Sequence, residues 1–393
     1  MTEPLRATVI VDNYNYAKFL GDAVNSALAQ TYPNVEVIVV DDGSTDNSRD
    51  VITGYGDRVI SVFKENGGQA SAINAGFEIS RGDIVLFLDS DDLLFPTAVE
   101  KAVMGMQNPG VIQVQWHMWE IDETGAKLGN LIPSGPLTVG DLRAEVIRSG
   151  PISAPYPPTS GNAWRRSFLS TVLPVPEYGD KHGADAYLCV LAPLFGLLHA
   201  LPEPQGCYRV HPRSFSTDHI GKSGDWCREC FSDLRRDVSR YKNHCNALAK
   251  ELRHMGIEAD TASWMGPQSG YAWMTDMLSL PDALVQVIPE GSTFLFIEEN
   301  TLGGRFVSNR KALPFMERDG AYWGLPPDGA TAAAEVRRLC RSGAEFLVII
   351  RSCFWWLEAY PELDELLRAK CPRILDDHRA IVFDLRALFS NGS

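Results

Sequence analysis

The pattern of apolar and polar positions divides the chain, up to about residue 110, into short apolar runs that alternate with helical patterns. The apolar runs have the length and the β-branched composition of buried strands. Strands are predicted at residues 7–11, 35–40, 59–63 and 84–88, and helices at residues 18–29, 48–55, 70–80 and 98–106. This alternation predicts an α/β fold with a mainly parallel, doubly wound sheet, whose strands end along one common edge.

A different pattern runs from residue 225 to residue 256, where apolar residues recur at alternating spacings of four and three. This heptad pattern predicts one long helix. Two interpretations stay open: the helix pairs with its copy in a homodimer, or it lies along the rest of its own chain.

Beyond about residue 284 a new alternation of apolar runs and helical patterns begins. Strands are predicted at residues 293–297, 346–350 and 380–383, and helices at residues 330–340 and 360–370. These elements predict a second, small α/β domain with a core of its own. We therefore expect a first domain over residues 1–220, a segment of long helix and linker over residues 221–283, and the small domain over residues 284–393.

Composition and charge argue against several classes of partner. The 393 residues carry 50 acidic against 36 basic side chains, a formal net charge of -14, so nucleic acid is not an expected partner. The longest apolar stretch, residues 189–201, is interrupted by Pro193, Gly196 and His199, which argues against a membrane span. We expect a protein with reduced cysteines, either free in the cytoplasm or bound peripherally at the inner face of the membrane.

Three carboxylates directly follow the fourth predicted strand. Asp89, Asp91 and Asp92 lie within four residues, at the expected carboxyl edge of the sheet. An Asp-x-Asp turn in that place offers two hard oxygen donors, which suit a divalent cation and the phosphates that it neutralises. The alternative is a polar turn in which Asp92 caps the next helix.

The ends of the other three predicted strands are also polar. The polar segments at these three strand ends are residues 12–15, 41–46 and 64–69. A dinucleotide-binding site would have Gly-x-Gly-x-x-Gly after the first strand, and the sequence has no such motif there. NAD and FAD are therefore not expected.

Five motifs, taken in order, carry a resemblance to a known family. They are Val-Ile-Val-Asp-Asn-Tyr-Asn at 9–15, Gln-Thr-Tyr-Pro at 30–33, Val-Asp-Asp-Gly-Ser-Thr-Asp at 40–46, Asn-Gly-Gly at 66–68 with Asn-Ala-Gly at 74–76, and Leu-Asp-Ser-Asp-Asp at 88–92. Together they resemble glycosyltransferase family 2, which has the GT-A fold. The resemblance continues more loosely to about residue 217.

The resemblance implies a donor site and a metal site at the sheet edge. Tyr14 would stack on the nucleotide base, Asp42 would form a hydrogen bond with it, and Asp89 and Asp91 would hold the ribose and the metal. The implied donor-binding residues are Asp12, Tyr14, Asp42, Gly43, Lys64, Gln69, Asp89 and Ser90. The implied metal ligands are Asp91, Asp89 and His211, with Mn or Mg as the cation. Asp12 departs from the small or hydroxyl residue that is frequent at its position in the family.

Sugar transfer also needs a base that takes the proton of the acceptor hydroxyl. In the resembling family, a Glu-Asp pair at the head of a helix supplies this base in an inverting mechanism. The matching residues here are Ala184 and Asp185, so Asp185 is the candidate base and its supporting acid is replaced by alanine. The alternative is that Asp185 only caps the helix. The acceptor would contact the segment that carries Ser160, Gly161, Asn162 and Trp164.

The expected function is that of an inverting, metal-dependent, hexosyltransferase-like enzyme. It would move a sugar from a nucleotide diphosphate donor, with UDP expected first, to a hydroxyl of a saccharide or glycolipid in surface polysaccharide or glycoconjugate synthesis. Two alternatives stay open: a non-catalytic nucleotide-sugar-binding or scaffold protein, and a nucleotidyltransferase. The small C-terminal domain resembles a module attached to other bacterial glycosyltransferases, and it shows no catalytic motif.

Overall fold

The computed structural model of the protein describes residues 4–152, 155–176, 183–211, 226–267, 269–298, 307 and 309–388, with only the backbone for residues 226–233. Contacts group these residues into two compact units. The first unit comprises the described residues up to 211 together with residues 241–264, and the second comprises residues 226–240 and those from 265 onward. The segment 221–283, predicted as a separate helix and linker, is therefore divided between the two units.

Among its described residues the first unit contains eleven strands, seven complete α-helices and the part of α8 from Tyr241 onward. The strands are β1 (Ala7–Asn13), β2 (Val35–Asp42), β3 (Ile60–Lys64), β4 (Ile84–Asp89), β5 (Leu93–Leu94), β6 (Val111–Gln115), β7 (Met118–Ile121), β8 (Lys127–Ile132), β9 (Asn162–Arg165), β10 (Leu197–Ala200) and β11 (Gly206–Arg209). The helices are α1 (Ala17–Leu28), α2 (Ser48–Thr53), α3 (Gln69–Ile79), α4 (Ala98–Gly105), α5 (Arg143–Ser149), α6 (Arg166–Val172), α7 (Ala184–Phe195) and α8 (Trp226–His254).

The large sheet of the first unit has seven strands in the order β10-β6-β9-β4-β1-β2-β3. The pairs β1–β2, β1–β4, β2–β3 and β10–β6 are parallel, which confirms the predicted mainly parallel, doubly wound α/β fold. One strand departs from that pattern, because β9 pairs antiparallel with both β4 and β6. A second sheet has the order β5-β11-β7-β8.

The four predicted N-terminal strands are present, and three of them extend further than predicted. β1 ends at Asn13, β2 at Asp42 and β4 at Asp89, so the first polar residues of the strand-end motifs belong to the strands themselves. The apolar residues of β1 and β4 and those of β2 from Val37 onward are at most 5% exposed, as parallel strands covered by helices require, whereas Ile60 and Phe63 of β3 are 45% and 42% exposed. The first polar residues of these motifs are therefore fixed in position by the pairing of the strands.

Helix α8 confirms the predicted long helix, and its described part shows which of its faces is covered. Cys245, Leu248 and Leu252 of the heptad stripe are 2%, 0% and 1% exposed within the single chain. The hydroxyl of Tyr241 on the same stripe donates to the backbone oxygen of Trp264 at 3.1 Å, inside the first unit. These residues favour a helix laid along its own chain, because little apolar surface is left there for a second copy. The stripe residues Cys227 and Phe231 lie outside the described side chains.

The second unit is the predicted small α/β domain. Its helices are α9 (Gly270–Val287), α10 (Gly329–Arg341), α11 (Trp355–Ala359) and α12 (Pro361–Lys370), and its strands are β12 (Thr293–Ile297), β13 (Lys311–Pro314), β14 (Glu317–Arg318), β15 (Ala321–Tyr322), β16 (Phe346–Ile350), β17 (Arg373–Asp376) and β18 (Ala380–Asp384). Five of these strands form a sheet in the order β13-β12-β16-β18-β17. Phe294, Phe346, Trp356 and Phe383 are fully buried in a core made by this unit. β13, β14, β15 and β17 were not predicted.

The described helices include none that could cross a membrane. α8, the longest, has 29 residues but carries many charged side chains along its length. A spanning helix needs about 20 predominantly apolar residues, and no helix in the described ranges meets that requirement.

Replacing Leu248 with alanine should lower the free energy of unfolding by about 2–5 kcal/mol, because truncation of a buried leucine leaves a cavity. Asn246→Ala, at an exposed position of the same helix, should change it by less than about 0.5 kcal/mol. Urea unfolding followed by circular dichroism measures both. The loss should be the same at low and high protein concentration, since the packing lies within one chain. A loss that depends on concentration would instead support the homodimer.

Candidate active site

The carboxyl ends of β1, β2 and β4 bring residues of separate sequence motifs together. In the parallel pairing of β1 with β4, Asp12 lies beside Asp89. In the pairing of β1 with β2, Asn13 lies beside Asp41. Neighbouring strands are about 4.8 Å apart, so paired residues at the strand ends are direct neighbours. The sheet edge is thus the place where the predicted donor and metal residues meet.

Four carboxylates crowd around this edge: Asp12, Asp89, Asp91 and Asp92. Burial raises the pKa of Asp12 to about 8, with a second contribution from the charge of Asp91. Burial also raises the pKa of Asp89 well above its ordinary value, and the neighbouring carboxylates, Asp12 foremost, raise it further. The pKa of Asp92 is raised by burial and then by the charge of Asp91. The site therefore concentrates negative charge that a cation would relieve.

Hydrogen bonds satisfy these carboxylates unequally. Asp89 is well held, because its Oδ1 accepts from Gln69 Nε2 at 2.8 Å and its backbone N–H donates to Ser160 Oγ at 3.1 Å. Asp12 Oδ1 and Asp92 Oδ2 are buried and have no hydrogen-bond partner among the described residues. A buried acceptor without a partner costs about 1–3 kcal/mol, so a ligand or ion that approaches these oxygens would recover that cost.

His211 places an imidazole against the carboxylate cluster. Its Nε2 lies 3.0 Å from Asp91 Oδ2, and the residue is 5% exposed. The ring packs against Tyr16 and Phe19 of the β1–α1 region, at centroid distances of 5.4 and 5.0 Å. The imidazole is therefore fixed beside Asp91 by packing as well as by the polar contact.

The chemistry of Asp89, Asp91 and His211 fits a divalent cation. Carboxylate oxygens are the ligands that Mg and Mn prefer, and imidazole suits several transition metals. Among the described residues, however, no three His, Cys, Asp or Glu side chains form a preassembled ligand group. A cation bound by few protein ligands takes its other ligands from phosphate oxygens and water. The residues therefore suit a cation that binds together with a diphosphate.

Asp42 lies at the end of β2 in a network of close donors. It accepts from Lys64 Nζ at 2.6 Å, from the backbone N–H of Gly67 at 3.0 Å and from that of Gly68 at 2.6 Å. The adjacent Gly43 has a φ of 77°, and a Cβ at its position would lie 2.6 Å from the backbone nitrogen of Asn66. Only glycine fits there, so the β2–α2 and β3–α3 loops are held in close contact.

The loop after β1 presents an aromatic side chain at the same edge. Tyr14 is 45% exposed. Its neighbour Asn15 has a φ of 60°, and Asn15 Oδ1 accepts from the backbone N–H groups of Thr45 at 2.7 Å and Asp46 at 3.2 Å. Asn15 N–H donates in turn to Ser44 Oγ at 2.9 Å. Asn15 therefore clamps the loop that carries Tyr14 onto the loop after β2, a role that was not predicted for it.

The candidate base Asp185 is the second residue of α7. Its charge contributes to the raised pKa of Asp89, so the first turn of α7 lies close enough to the carboxylate cluster to act on it. Asp185 Oδ1 accepts from the backbone N–H of Ala186 at 2.7 Å. Gly183, at the start of the helix, has a φ of 99°, a left-handed conformation that favours glycine. Ala184 is 2% exposed and offers no second acid.

Ser160 and Gly161 lie close to the carboxylate cluster. Ser160 accepts from the backbone of Asp89, as described above, and is 1% exposed. A Cβ at Gly161 would collide with the ring of Pro157 and come within 3.0 Å of the backbone oxygen of Trp116. The absence of a side chain at Gly161 therefore permits close backbone packing beneath the site.

Asn162 and Trp164, which the sequence analysis placed against the acceptor, are buried in β9. Asn162 is 0% exposed, and its Nδ2 donates to the backbone oxygen of Pro158 at 2.9 Å. Trp164 is 1% exposed and packs against Phe168 at a centroid distance of 5.6 Å. Both side chains are engaged by the protein interior, which favours a supporting role. A direct contact with an acceptor remains a prediction.

Arg209 holds the Asp91–Asp92 turn and was not singled out from the sequence. Its Nε donates to the backbone oxygen of Asp91 at 2.8 Å, and its backbone N–H donates to Asp92 Oδ1 at 2.9 Å. Its Nη1 donates to the backbone oxygens of Asp122 at 3.3 Å and Glu123 at 3.2 Å. The residue is only 2% exposed. The only feature of the sequence that pointed to this role of Arg209 was its position two residues before His211.

Replacing Arg209 with methionine should lower the free energy of unfolding by about 3–5 kcal/mol, because it removes the buried positive charge that these acceptors share. Arg143→Met, on the exposed face of α5, should cost less than about 0.5 kcal/mol. Equilibrium unfolding in urea compares the two variants with the wild type. Equal effects of the two substitutions would contradict the role assigned to Arg209.

Solved structures similar to this chain include two from different organisms. The Staphylococcus aureus TarS 1–349 complex with UDP-GlcNAc is 18% identical, with a TM-score of 0.45, over 72% of this chain and 80% of that one. A mannosyltransferase from Pyrobaculum calidifontis, in complex with GDP-Man and Mn2+, is 19% identical, with a TM-score of 0.44, over 73% of this chain and 77% of that one. Similarity at this level supports no conclusion about the ligands of the chain described here.

Relatives found by sequence share more identity with this chain than the solved structures do. An uncharacterized glycosyltransferase of Nostoc sp. is 37% identical over 211 residues, which are 53% of this chain and 65% of the relative. The glycosyltransferase GlyG of Streptococcus pneumoniae serotype 4 is 36% identical over 144 residues, which are 36% of this chain and 48% of the relative. The chain thus spans less than two thirds of the length of either relative. The family model described as "Glycosyl transferase family 2" matches residues 8–170, which contain β1–β4 and the carboxylate cluster. The match supports, for these residues, the resemblance that the five sequence motifs carry.

Proposed function

We propose that the chain is a metal-dependent, inverting glycosyltransferase that moves a sugar from a nucleotide diphosphate, with UDP as the first candidate, to a hydroxyl of a saccharide or glycolipid. The observation that carries the proposal is the meeting of Asp89, Asp91 and His211 at one sheet edge, where the exposed ring of Tyr14 also lies. The family match of residues 8–170 and the glycosyltransferase relatives support the transferase class.

The proposed donor site extends along the edge from β2 to β4. Tyr14 offers a ring face on which a nucleotide base stacks. Asp42 supplies a hydrogen-bond acceptor for the nucleotide base, and the ammonium group of Lys64, paired with Asp42, adds a positive charge to the donor site. The remaining proposed donor residues are Asp12, Gly43, Gln69, Asp89 and Ser90.

The proposed cation ligands are Asp91, Asp89 and His211. When bound, Mn or Mg supplies positive charge that stabilises the departing diphosphate. The protein residues contribute orientation: Gln69 and Ser160 hold Asp89, and the Asp91 carboxylate is oriented by His211. The raised pKa values of the buried carboxylates reflect the same need for a counter-charge.

The proposed acceptor hydroxyl gives its proton to Asp185 as its oxygen attacks the anomeric carbon. Attack and departure on opposite faces of the sugar produce inversion in one displacement. The support for Asp185 is its place in the first turn of α7, near Asp89. The wider role, surface polysaccharide or glycoconjugate synthesis in the cytoplasm or at the inner face of the membrane, rests on the resemblance alone.

Two other functions are less well supported. A nucleotidyltransferase would use a glycine-rich, basic loop after the first strand, whereas here β1 ends with Asp12 and Asn13 and the loop continues with Tyr14. A non-catalytic nucleotide-sugar-binding protein is favoured by one observation, the alanine at position 184. Substitution of Asp185, described below, separates this alternative from the enzyme.

A panel of sugar nucleotides tests the proposed function. We expect at least one nucleotide diphosphate sugar to bind in the presence of Mn or Mg, with binding reduced at least tenfold by EDTA, because the diphosphate and the carboxylates repel each other without a cation. Isothermal titration calorimetry measures the binding, and release of the nucleoside diphosphate measures the turnover. If every donor bound with equal strength in EDTA, the proposed dependence of donor binding on a divalent cation would be contradicted.

The matched variants for this test are Asp89→Asn and Asp57→Asn. Asp89→Asn keeps an oxygen for the hydrogen bond from Gln69 but removes one charge from the cluster. The substitution should weaken cation-dependent donor binding about 10–100-fold. The melting temperature measured without a cation should stay equal or rise, because the repulsion between the carboxylates is reduced. Asp57→Asn, at an exposed position, should leave both quantities unchanged. Undiminished donor binding by Asp89→Asn would contradict the site.

Asp185→Asn should reduce kcat by about 100- to 10,000-fold, because the amide cannot take the acceptor proton. The donor KM should stay within about twofold, since Asp185 lies on the acceptor side. Asp141→Asn, at an exposed position, is the control. Steady-state kinetics with varied donor gives both constants. Unchanged turnover would remove Asp185 as the base, and tight donor binding without turnover in the wild type would favour the scaffold protein.

A further inference from the structure

Two tryptophans and a leucine are exposed on one surface of the second unit. Trp323 is 62% exposed, Leu325 is 53% exposed and Trp355 is 39% exposed. A single apolar side chain on a surface is ordinary, whereas apolar side chains that lie together often mark a binding site. We call these three residues the tryptophan strip.

Contacts within the unit bring the members of the tryptophan strip into one region. The ring of Trp355 lies 6.2 Å from that of Tyr360, measured between centroids. The Tyr360 hydroxyl donates to the backbone oxygen of Pro326 at 3.2 Å. Pro326 directly follows Leu325 and comes three residues after Trp323. Because three residues span at most about 10 Å, one extended ligand can reach all three members of the strip.

The tryptophan strip lies at the carboxyl edge of the parallel strands of the second unit. β12 pairs in parallel with β13 on one side and with β16 on the other. The Trp323 N–H donates at 2.9 Å to the backbone oxygen of Met316, two residues after β13 ends, and Trp355 comes five residues after β16 ends. In α/β sheets, ligands bind outside the carboxyl ends of parallel strands, where the chain leaves a central strand for both of its neighbours. The strip therefore lies at the end of the sheet where ligands usually bind.

Both indole rings are held in place by the protein. The guanidinium of Arg318 lies over the Trp323 ring, 4.3 Å from its centroid, so the exposed surface of that ring is mainly its opposite face and its edge. Trp355 packs against the fully buried Trp356 at a centroid distance of 5.8 Å. A side chain that is already fixed loses little conformational entropy when a ligand stacks on it. The rings are therefore suited to bind a flat apolar surface.

The size of the tryptophan strip argues against a stable protein–protein interface. If each side chain offers at most about 250 Å², three side chains at these exposures present at most about 400 Å². A stable interface needs about 800 Å² on each partner. A ligand that covers only one or two ring faces is the better match.

The charges around the tryptophan strip argue against nucleic acid and anionic lipid. Residues 315–329 and 352–362 contain five acidic side chains and one basic side chain, that of Arg318. The exposed acidic residues among them are Asp319, Asp328, Glu358 and Glu362. Phosphate groups would be repelled by this excess of negative charge. Hydroxyl groups are well matched, because they donate to carboxylates and accept from a guanidinium.

We propose that the tryptophan strip binds a neutral saccharide, with the apolar face of a sugar ring stacked on the indoles and its hydroxyl groups directed to the charged side chains around them. A sugar ring combines an apolar face with a polar edge, as the strip and its surroundings do. The choice of a saccharide rests on the proposed function, in which the acceptor is a saccharide or glycolipid. The inference adds a role for the second unit, which is to hold the glycan of that acceptor.

Cellopentaose, maltopentaose and N-acetylchitopentaose are the probes for this proposal. Calorimetry with the full chain should show saturable binding of at least one of them. Trp323→Ala and Trp355→Ala should each weaken that binding at least fivefold, because each removes a ring face. Val285→Ala, which shortens another exposed apolar side chain of the second unit, should leave the binding within twofold. Thermal unfolding checks that the variants are folded, and Trp323→Leu replaces Trp323→Ala if the latter is not.

Two results would overturn the proposal: no saturable binding of any probe, or binding that both tryptophan substitutions leave within twofold. Vesicles of phosphatidylcholine, with and without phosphatidylglycerol, test a membrane as the occupant. Vesicle binding that depends on the two tryptophans, without saccharide binding, would also overturn it. The donor panel is measured with the same wild-type samples. Loss of all donor binding would refute the proposed function, whereas retained donor binding without saccharide binding would refute only the role of the strip.

Discussion

Asp12 and Asp89 are neighbours because β1 and β4 pair in parallel register over their whole length, from Ala7 opposite Ile84 onward. Because the side chains on both faces of β1 and β4 are buried, a shift of this pairing by one residue would require both sides of the core to repack, so the register is firmly determined. The sheet thus forces like charges together at its carboxyl edge. The fully buried apolar residues behind that edge make the arrangement rigid. The packing of the sheet compensates for the electrostatic repulsion between the crowded carboxylates.

The surroundings of the carboxylates compensate for this cost only in part. Arg209 brings one buried positive charge to the Asp91–Asp92 turn, and Gln69 and Ser160 supply hydrogen bonds to Asp89. Asp12 keeps a buried oxygen without a partner among the described residues, and its pKa is raised to about 8. An incompletely neutralised cluster is what a cation-dependent site requires, because full neutralisation by the protein would leave no driving force for the ion.

The two units differ in what their polar groups do. In the first, acidic side chains converge where strands end and are left short of partners. In the second, the buried Asp276 is paired with Arg351 at 3.0 Å and with His378 at 3.1 Å, so its charge is satisfied inside the unit. The proposed chemistry therefore lies in the first unit, and the described part of the second unit has the features of a stable domain with a separate core.

Local patterns in the sequence determined the identity and approximate ends of the predicted helices and of seven of the 18 described strands, because the burial of one face recurs at the period of each element. They also located the acidic strand ends, whereas the choice of Asp185 came from the resemblance to glycosyltransferase family 2. Only the tertiary structure decided that β9 enters the large sheet antiparallel between β4 and β6, that Arg209 holds the Asp91 turn, and that α8 buries its stripe against its own chain. These features depend on partners far away in sequence, and periodicity along the chain carries no information about which distant residue a side chain will meet.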